Sequence, residues 1–353
     1  MEQNSHKRRN ISRRTVIIAT AIIVAAAAVL VFFWQESRKN DPNETIGDYR
    51  QRRQYQKVIE VDGVQYFQRE SVTTMLVIGV DTTGVINTAD GGHDYRVGGQ
   101  ADFLQLLAFD HTNHTITQIP ISRDTWTKIR VLGYFGDTAG IREEHISLSH
   151  SFGDGGEQSA KLTQEAVSNL FQGIKIDFVL AMNMDGIPIV NDSVGGVTVQ
   201  LEDDFSAYDP TWVPGATVTL HGKEAEIFCR TRMTVSDGSN DSRMRRQEVY
   251  ISAFAKRLME EVKKDTDFIG RVYDSLTPYL VSNISRKNLV NLAYSVRNYE
   301  RRTVNIPGKP DVDYQGFPIV RVDRKALREI CLDTFFTTMD SSTQSTTGAE
   351  ADV

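Results

Sequence analysis

The stretch "TMLVIGVD", Thr74 to Asp81, is an unbroken apolar run that ends in a carboxylate. A strand with one face in water alternates apolar and polar residues, whereas a strand covered on both faces does not. Thr74–Val80 therefore reads as the centre of a sheet with helices above and below it. "FLQLLAFD" and "TITQIPI" follow, joined by the short polar "HTNHT", as in an antiparallel pair. "DFVLAMNM" is another strand, and "DSVGGVTVQL" turns on two glycines into one more. Upstream, "VIEVDGVQYF" has the pattern of a hairpin with Asp62-Gly63 at its turn.

Between and after the strands the apolar spacing becomes helical. Leu162, Ala166, Leu170 and Phe171 fall on one face, and Gly173 can close that helix. One helix begins near Lys223. A longer one begins near Met244, with Ile251, Ala255, Leu258 and Val262 on one stripe. Another follows Ser285, a capping residue, with Leu289, Leu292 and Val296 facing inward. Residues 130–156, rich in glycine and polar side chains, read as irregular. Strands mixed with helices predict a three-layer α/β/α sandwich with a central mixed sheet.

The N-terminus predicts the compartment. Lys7, Arg8, Arg9, Arg13 and Arg14 precede an uncharged run, "TVIIATAIIVAAAAVLVFFW", Thr15 to Trp34. A helix that crosses a bilayer needs roughly 20 mainly apolar residues, and basic residues stay on the inner side. "VLVFFWQES" offers no small-residue cleavage site, which favours an uncleaved anchor over a signal peptide. The expected organisation is a cytoplasmic basic tail (1–14), one transmembrane helix (15–34), a juxtamembrane stalk (35–70), an extracytoplasmic domain (71–338) and a polar disordered tail (339–353).

The chain has 353 residues and a formal net charge of -6, which gives no reason to expect a nucleic-acid partner. Two cysteines, Cys229 and Cys331, sit in apolar contexts and read as small buried residues, with one bridge between them the less favoured alternative. No Cys/His cluster has zinc-ligand spacing.

Asp81 follows one strand directly and Asp102 directly precedes the next. If those strands pair, both carboxylates meet at one sheet edge, where they could hold Mg²⁺. Turn or cap roles for both remain open on spacing alone. Arg123 and Asp124 end the following strand, where α/β domains tend to place ligands; a structural ion pair is the alternative. The densest cluster is "CRTRMTVSDGSNDSRMRRQEVY", holding Arg230, Arg232, Arg243, Arg245, Arg246 and Gln247. Arg243, Arg246 and Gln247 lie at i, i+3 and i+4, so one helix face can present all three. A basic focus among Glu202, Asp203, Asp204, Asp237 and Asp241 suggests a local anion site, because arginine offers forked donors to phosphate oxygens; a solvated basic face is the alternative.

These residues give the chain a resemblance to the LytR-CpsA-Psr family of cell-wall glycopolymer transferases, from about Leu76 to Leu258. It rests on "LVIGVD", "GGQADFLQLLAFD", "IPISRDTW", "HSFGDGG", "AVSNLFQGIKIDFVLAMNMDGIPIVNDSVGGV" and "LHGKEAEIFCRTRM...DSRMRRQ", in that order. The resemblance implies a membrane-anchored phosphotransferase that moves a glycopolymer from polyprenyl pyrophosphate to a peptidoglycan sugar hydroxyl. It implies Mg²⁺ on Asp81 and Asp102, and a pyrophosphate among Arg123, Arg230, Arg232, Arg243, Arg246 and Gln247. Arg123, Asp124, Arg232 and Asp241 form the implied catalytic set. The implied partners are the lipid-linked glycopolymer, peptidoglycan and the membrane, with the N-terminus cytoplasmic and the catalytic domain extracellular.

One position departs from the family pattern. Gln100, two residues before Asp102, stands where arginine is common, and the loop between Asp81 and Asp102 is long. Arg96 could supply the missing charge; otherwise the site has one fewer phosphate contact. Gln100→Arg, by adding a charge-assisted contact to phosphate, is expected to raise or preserve activity. The alternative reading is a non-catalytic anchored protein that binds polyprenyl pyrophosphate and organises envelope assembly.

Overall fold

The apolar run around Leu76 becomes the centre of a six-stranded sheet in the computed structural model, which describes residues 57–86, 95–231, 235, 240–265 and 267–338. Side chains of residues 230, 240–245, 247, 248, 251, 255, 259 and 262 also lie outside the description, as does the expected anchor at 15–34. Among the described residues, no helix is long and apolar enough to cross a membrane.

The chain opens with the hairpin β1 (Val58–Val61) and β2 (Val64–Gln68). Asp62 and Gly63 both take positive φ, 51° and 81°, as the tight hairpin turn requires. Then come β3 (Val72–Val80), β4 (Ala101–Asp110) and β5 (Thr115–Ile121). The segment expected to be irregular instead forms a second hairpin, β6 (Trp126–Leu132) and β7 (Thr138–His145), and a short helix, α1 (Leu148–Ser151). Strand β7, "TAGIREEH", is largely exposed, so no apolar alternation marked it in the sequence. Next are α2 (Glu157–Leu170), β8 (Phe178–Asn183), α3 (Gly186–Ser193), β9 (Val197–Gln200), β10 (Thr217–Leu220) and α4 (Lys223–Arg230).

The long helix α5 runs Asn240–Lys264 and so begins four residues before the expected Met244. Its described buried stripe is Arg246, Tyr250, Phe254 and Leu258, at four-residue spacing. Of the expected stripe, Leu258 is buried, and the side chains of Ile251, Ala255 and Val262 lie outside the description. The chain finishes with α6 (Phe268–Leu276), β11 (Leu280–Ser282), α7 (Arg286–Ser295), β12 (Glu300–Thr303), the hairpin β13 (Gly308–Val312) and β14 (Pro318–Val322), α8 (Arg324–Phe335) and β15 (Phe336–Thr338). Ser285 caps α7 through the backbone N–H of Asn288, at 3.2 Å.

The central sheet has the order β11-β8-β3-β4-β5-β12. The β8/β3 and β5/β12 pairs are parallel and the others antiparallel, so the sheet is mixed. Successive residues of β3 divide between two cores. Met75 and Val77 pack with Tyr250, Phe254, Ile187 and Leu289 on one face. Leu76, Ile78 and Val80 pack with Ala166, Leu170, Leu327 and Phe335 on the other. Helices thus cover both faces, which is why β3 carries no polar alternation. Cys229 belongs to one core and Cys331 to the other, and they form no disulfide. The β1–β2 hairpin pairs with β15 through Phe336 and Gln68, so residues from 58 onward are tied to the folded body rather than to the expected stalk.

Candidate active site

Strands β3 and β4 keep strict antiparallel register from Val72↔Asp110 to Gly79↔Phe103. The next pair is Val80↔Ala101, which leaves Asp102 as the extra residue of a β-bulge. A bulge breaks the alternation of side chains and can re-aim one of them. Asp102 therefore lies within β4 rather than before it, as the sequence suggested. Its side chain is only 2% exposed.

Asp81 sits across from it, just past β3. Its backbone N–H donates to Gln100 O at 3.1 Å, and its Oδ1 accepts from Gln100 N–H at 2.6 Å. The neighbouring Gly99 has φ 68°, and a Cβ there would lie 2.8 Å from Asp81 Oδ1 and 2.3 Å from Thr82 Cγ2. Only glycine lets the chain pass so close to this carboxylate.

Strand β5 lies beside β4, with Ile121 opposite Leu104. Continuing past Ile121 brings Arg123 level with the bulge. Its Nη1 pairs with Asp102 Oδ1, and its Nη2 donates to Gln100 Oε1. Its Nε lies 3.7 Å from Asp124 Oδ1. The abrupt Ser-Arg-Asp ending of an apolar strand is thus explained: Arg123 is the counter-charge of a buried aspartate on the neighbouring strand. Asp124 is 42% exposed and faces outward.

Burial pushes the Asp102 carboxyl up to about 7. Arg123 opposes that rise, and the negative charges of Asp81 and Asp124 add to it. Asp102 Oδ1 touches Arg123 but accepts no well-directed hydrogen bond. Asp102 is thus a desolvated carboxylate beside a second one, with Arg123 as its counter-charge. Among the described residues no group of three or more His, Cys, Asp or Glu side chains converges on one point. Mg²⁺ is commonly held by one or two carboxylates with waters and phosphate oxygens completing the shell, a donor set that Asp81 and Asp102 could offer.

The arginine cluster is described in part. Arg230 ends α4, and Arg243 and Gln247 lie on the first turns of α5, as does Asp241. The side chains of all four are outside the described set, and so is the whole of Arg232. Arg246 is described, and it is not presented to an anion. It is 4% exposed, its Nη1 donates to Asp203 Oδ2 at 2.5 Å, and its Nη2 donates to Thr231 O. Its guanidinium carbon lies 5.7 Å from the Phe205 ring centroid. In this structure its Nη1 and Nη2 turn to Asp203 and Thr231 rather than outward. Arg246 falls on the buried stripe of α5, and its donors hold the backbone between Arg230 and Arg232.

Arg96 does not replace the arginine missing at position 100. Its Nε donates to Leu132 O at 3.0 Å, and its guanidinium lies 4.7 Å from the Tyr134 ring and 5.4 Å from that of Phe152. Gln100 supplies no charge either; its Oε1 accepts from Arg123 Nη2. The sequence marked position 100 only as a departure. It gave no sign of His145, which lies 3.7 Å from Asp124 Oδ1, nor of Asp313 on the far side of that ring.

A profile of the LytR-CpsA-Psr family matches residues 32–332. The chain belongs to the LytR-CpsA-Psr family. Among curated relatives, the polyisoprenyl-teichoic acid–peptidoglycan teichoic acid transferase TagU of Bacillus subtilis is 31% identical over 160 residues, 45% of this chain and 47% of the relative. TagU of Bacillus cereus is 23% identical over 242 residues, 67% of this chain and 68% of the relative. The match thus spans about half the length of the B. subtilis relative. Among solved structures, TagV of B. subtilis superposes with a TM-score of 0.52 at 22% identity, covering 75% of this chain and 98% of that one. TagT bound to LI-WTA gives 0.51 at 19% identity, covering 75% and 90%. These two likenesses establish the fold, a mixed α/β domain around a central mixed sheet.

Proposed function

We propose that this member of the LytR-CpsA-Psr family is a transferase that moves a glycopolymer from a polyprenyl pyrophosphate carrier to a sugar hydroxyl of peptidoglycan. The observation that carries this reading is the cluster of Asp81, Asp102 and Arg123 at one sheet edge, two carboxylates and a guanidinium with Asp102 nearly fully buried. The names of the TagU relatives support teichoic acid as one candidate cargo.

Asp81 and Asp102 are the residues suited to Mg²⁺, which when bound neutralises charge on the phosphates. Arg123, 25% exposed, reaches solvent and can turn part of its fork to a phosphate oxygen while Gln100 holds the rest. Arg230, Arg232, Arg243 and Gln247 supply the remaining anion contacts in this reading, with Arg246 as their internal support. Asp124 is the exposed carboxylate nearest Arg123 and is suited to accept the proton of the attacking hydroxyl. Such a division of labour fits phosphoryl transfer, in which catalysis comes mainly from positioning and charge neutralisation. In this reading the apolar run 15–34 is an anchor that would hold the domain outside the membrane, beside its lipid-linked donor.

The test uses full-length protein with lipid-pyrophosphate glycans and peptidoglycan, with and without Mg²⁺. Covalent, Mg²⁺-dependent attachment of polymer supports the reading. Tight donor binding without any attachment would replace it with the non-catalytic alternative.

A further inference from the structure

The hairpin β13–β14 is remote from the catalytic cluster in sequence but is fastened to it in space. Val320 N–H donates to Asp124 O at 2.8 Å, and Thr125 bridges to Val320. The turn of the hairpin brings Asp313 to His145. His145 Nε2 lies 3.5 Å from Asp313 Oδ2, and His145 Nδ1 lies 3.7 Å from Asp124 Oδ1. One imidazole therefore stands between two carboxylates, one of which adjoins Arg123.

Asp313 is fixed before it meets the ring. Its Oδ1 accepts the backbone N–H groups of Gln315 and Phe317, each at 2.8 Å, which leaves Oδ2 for His145. Burial tends to raise this carboxyl, but those two N–H groups and His145 outweigh it and hold it below its ordinary range. The His145 ring is fixed too, since Trp126 meets it edge-on with centroids 5.5 Å apart at 82°.

We propose that His145 is a positioning residue for Asp124, held in place by Asp313, and that it needs both ring protons to act. The proposal rests on the transferase reading above. A neutral imidazole carries one N–H and can donate to only one of the two carboxylates. The imidazolium can donate to both at once. The Nε2–Asp313 contact is at the outer limit of a hydrogen bond and the Nδ1–Asp124 contact just beyond it, so both draw mainly on the ring's charge. Losing the proton frees either Asp124 or Asp313, and a freed Asp124 no longer has a fixed place beside Arg123.

Besides Asp124 and Asp313, Glu143 of β7 and Lys128, paired with it on β6, lie on the ring's side of the hairpin. Asp124 faces it from the segment before β6, and Asp313 from the β13–β14 turn. Arg123 acts on it through Asp124. Glu144, the preceding residue on β7, points to the opposite face. Arg324 of α8 stops at Thr127 Oγ1, 3.4 Å away. Asp124 raises the His145 pKa most; burial opposes it, and Asp313 adds to the rise. The stabilised imidazolium is present below the raised value and lost as pH climbs through it.

The test titrates full-length protein, labelled with carbon-13 at histidine Cε1 and free of metal, by NMR. His145→Gln assigns the resonance. The expected midpoint lies above the ordinary ~6.5, and it falls in both Asp313→Asn and Asp124→Asn. In parallel, transfer is measured against pH with the lipid-pyrophosphate donor. His145→Gln and Asp313→Asn each lower kcat about tenfold with little change in KM for the donor, as lost positioning does. The alkaline limb of kcat moves to lower pH in Asp313→Asn. A His145 midpoint that ignores either aspartate, or an alkaline limb unmoved in Asp313→Asn, overturns the proposal. If no form of the protein transfers glycopolymer, the transferase reading fails. The contact between His145 and Asp124 then stands or falls on the Asp124→Asn titration alone.

Discussion

Asp102→Asn should make the metal-free protein more stable while removing its response to Mg²⁺. The argument starts from burial. The carboxyl moves from 3.8 to about 7 on folding, chiefly because its charged form is desolvated. At ~1.4 kcal/mol per unit, that shift corresponds to an upper bound on the order of 4 kcal/mol against the folded state at pH 8. A folded-state pKa above the unfolded one means that the native protein binds the extra proton. Stability therefore falls as pH rises from about 4 toward 7, and the full cost is present above 7. Asparagine keeps the shape and removes the charge. It also removes the partner of Arg123, but that side chain is 25% exposed and can turn to solvent. Roughly half of the bound, about 2 kcal/mol, is a fair expectation after that loss.

For a domain of this size 1 kcal/mol moves Tm by about 2–4 °C. The assay is thermal unfolding of chelator-treated protein between pH 5 and pH 8. The parent chain should lose stability across that range more steeply than Asp102→Asn, and the variant should unfold about 4–8 °C higher at pH 8. Adding Mg²⁺ should raise the parent's Tm and leave the variant's unchanged. An Asp102→Asn protein that is less stable than its parent at pH 8 would refute the reasoning, because it would mean that Arg123 overcompensates the burial cost.

Gln100→Arg should weaken donor binding, contrary to the expectation from family resemblance. Gln100 Oε1 accepts from Arg123, and an arginine there sets two guanidinium groups against each other; calorimetry with a polyprenyl pyrophosphate analogue should show a loss of about tenfold or more, the ~1.5–3 kcal/mol of a charged hydrogen bond. Arg246→Ala should destabilise the fold by ~3–5 kcal/mol, since it leaves Asp203 without its buried partner; urea unfolding checks this, and a loss below about 1 kcal/mol would place Arg246 outside the core. Cys229 and Cys331 form no disulfide and are buried, and burial raises both thiol pKa values; neither should react with a thiol reagent in the native protein, and a reducing agent should not change its Tm.

How far the sequence could be read depends on whether each contact is written in a local pattern. The run around Leu76 has no polar alternation because two cores cover it, so the central sheet and its helices were legible. Asp81 and Asp102 were legible as neighbours because they lie at the facing ends of strands that pair directly. The bulge that buries Asp102 was not, since a register shift leaves no mark on composition. Arg246 misled for a different reason. Helical spacing assigns residues to faces, but it does not say which face points inward, and a buried arginine on an apolar stripe resembles an exposed one in sequence. The contact between His145 and Asp313 spans 168 residues and joins two hairpins whose strands are short or exposed. No local periodicity brings those residues together. The hydrogen bond from Val320 to Asp124 does, and it fixes the hairpin against the end of the one strand whose meaning the sequence already carried.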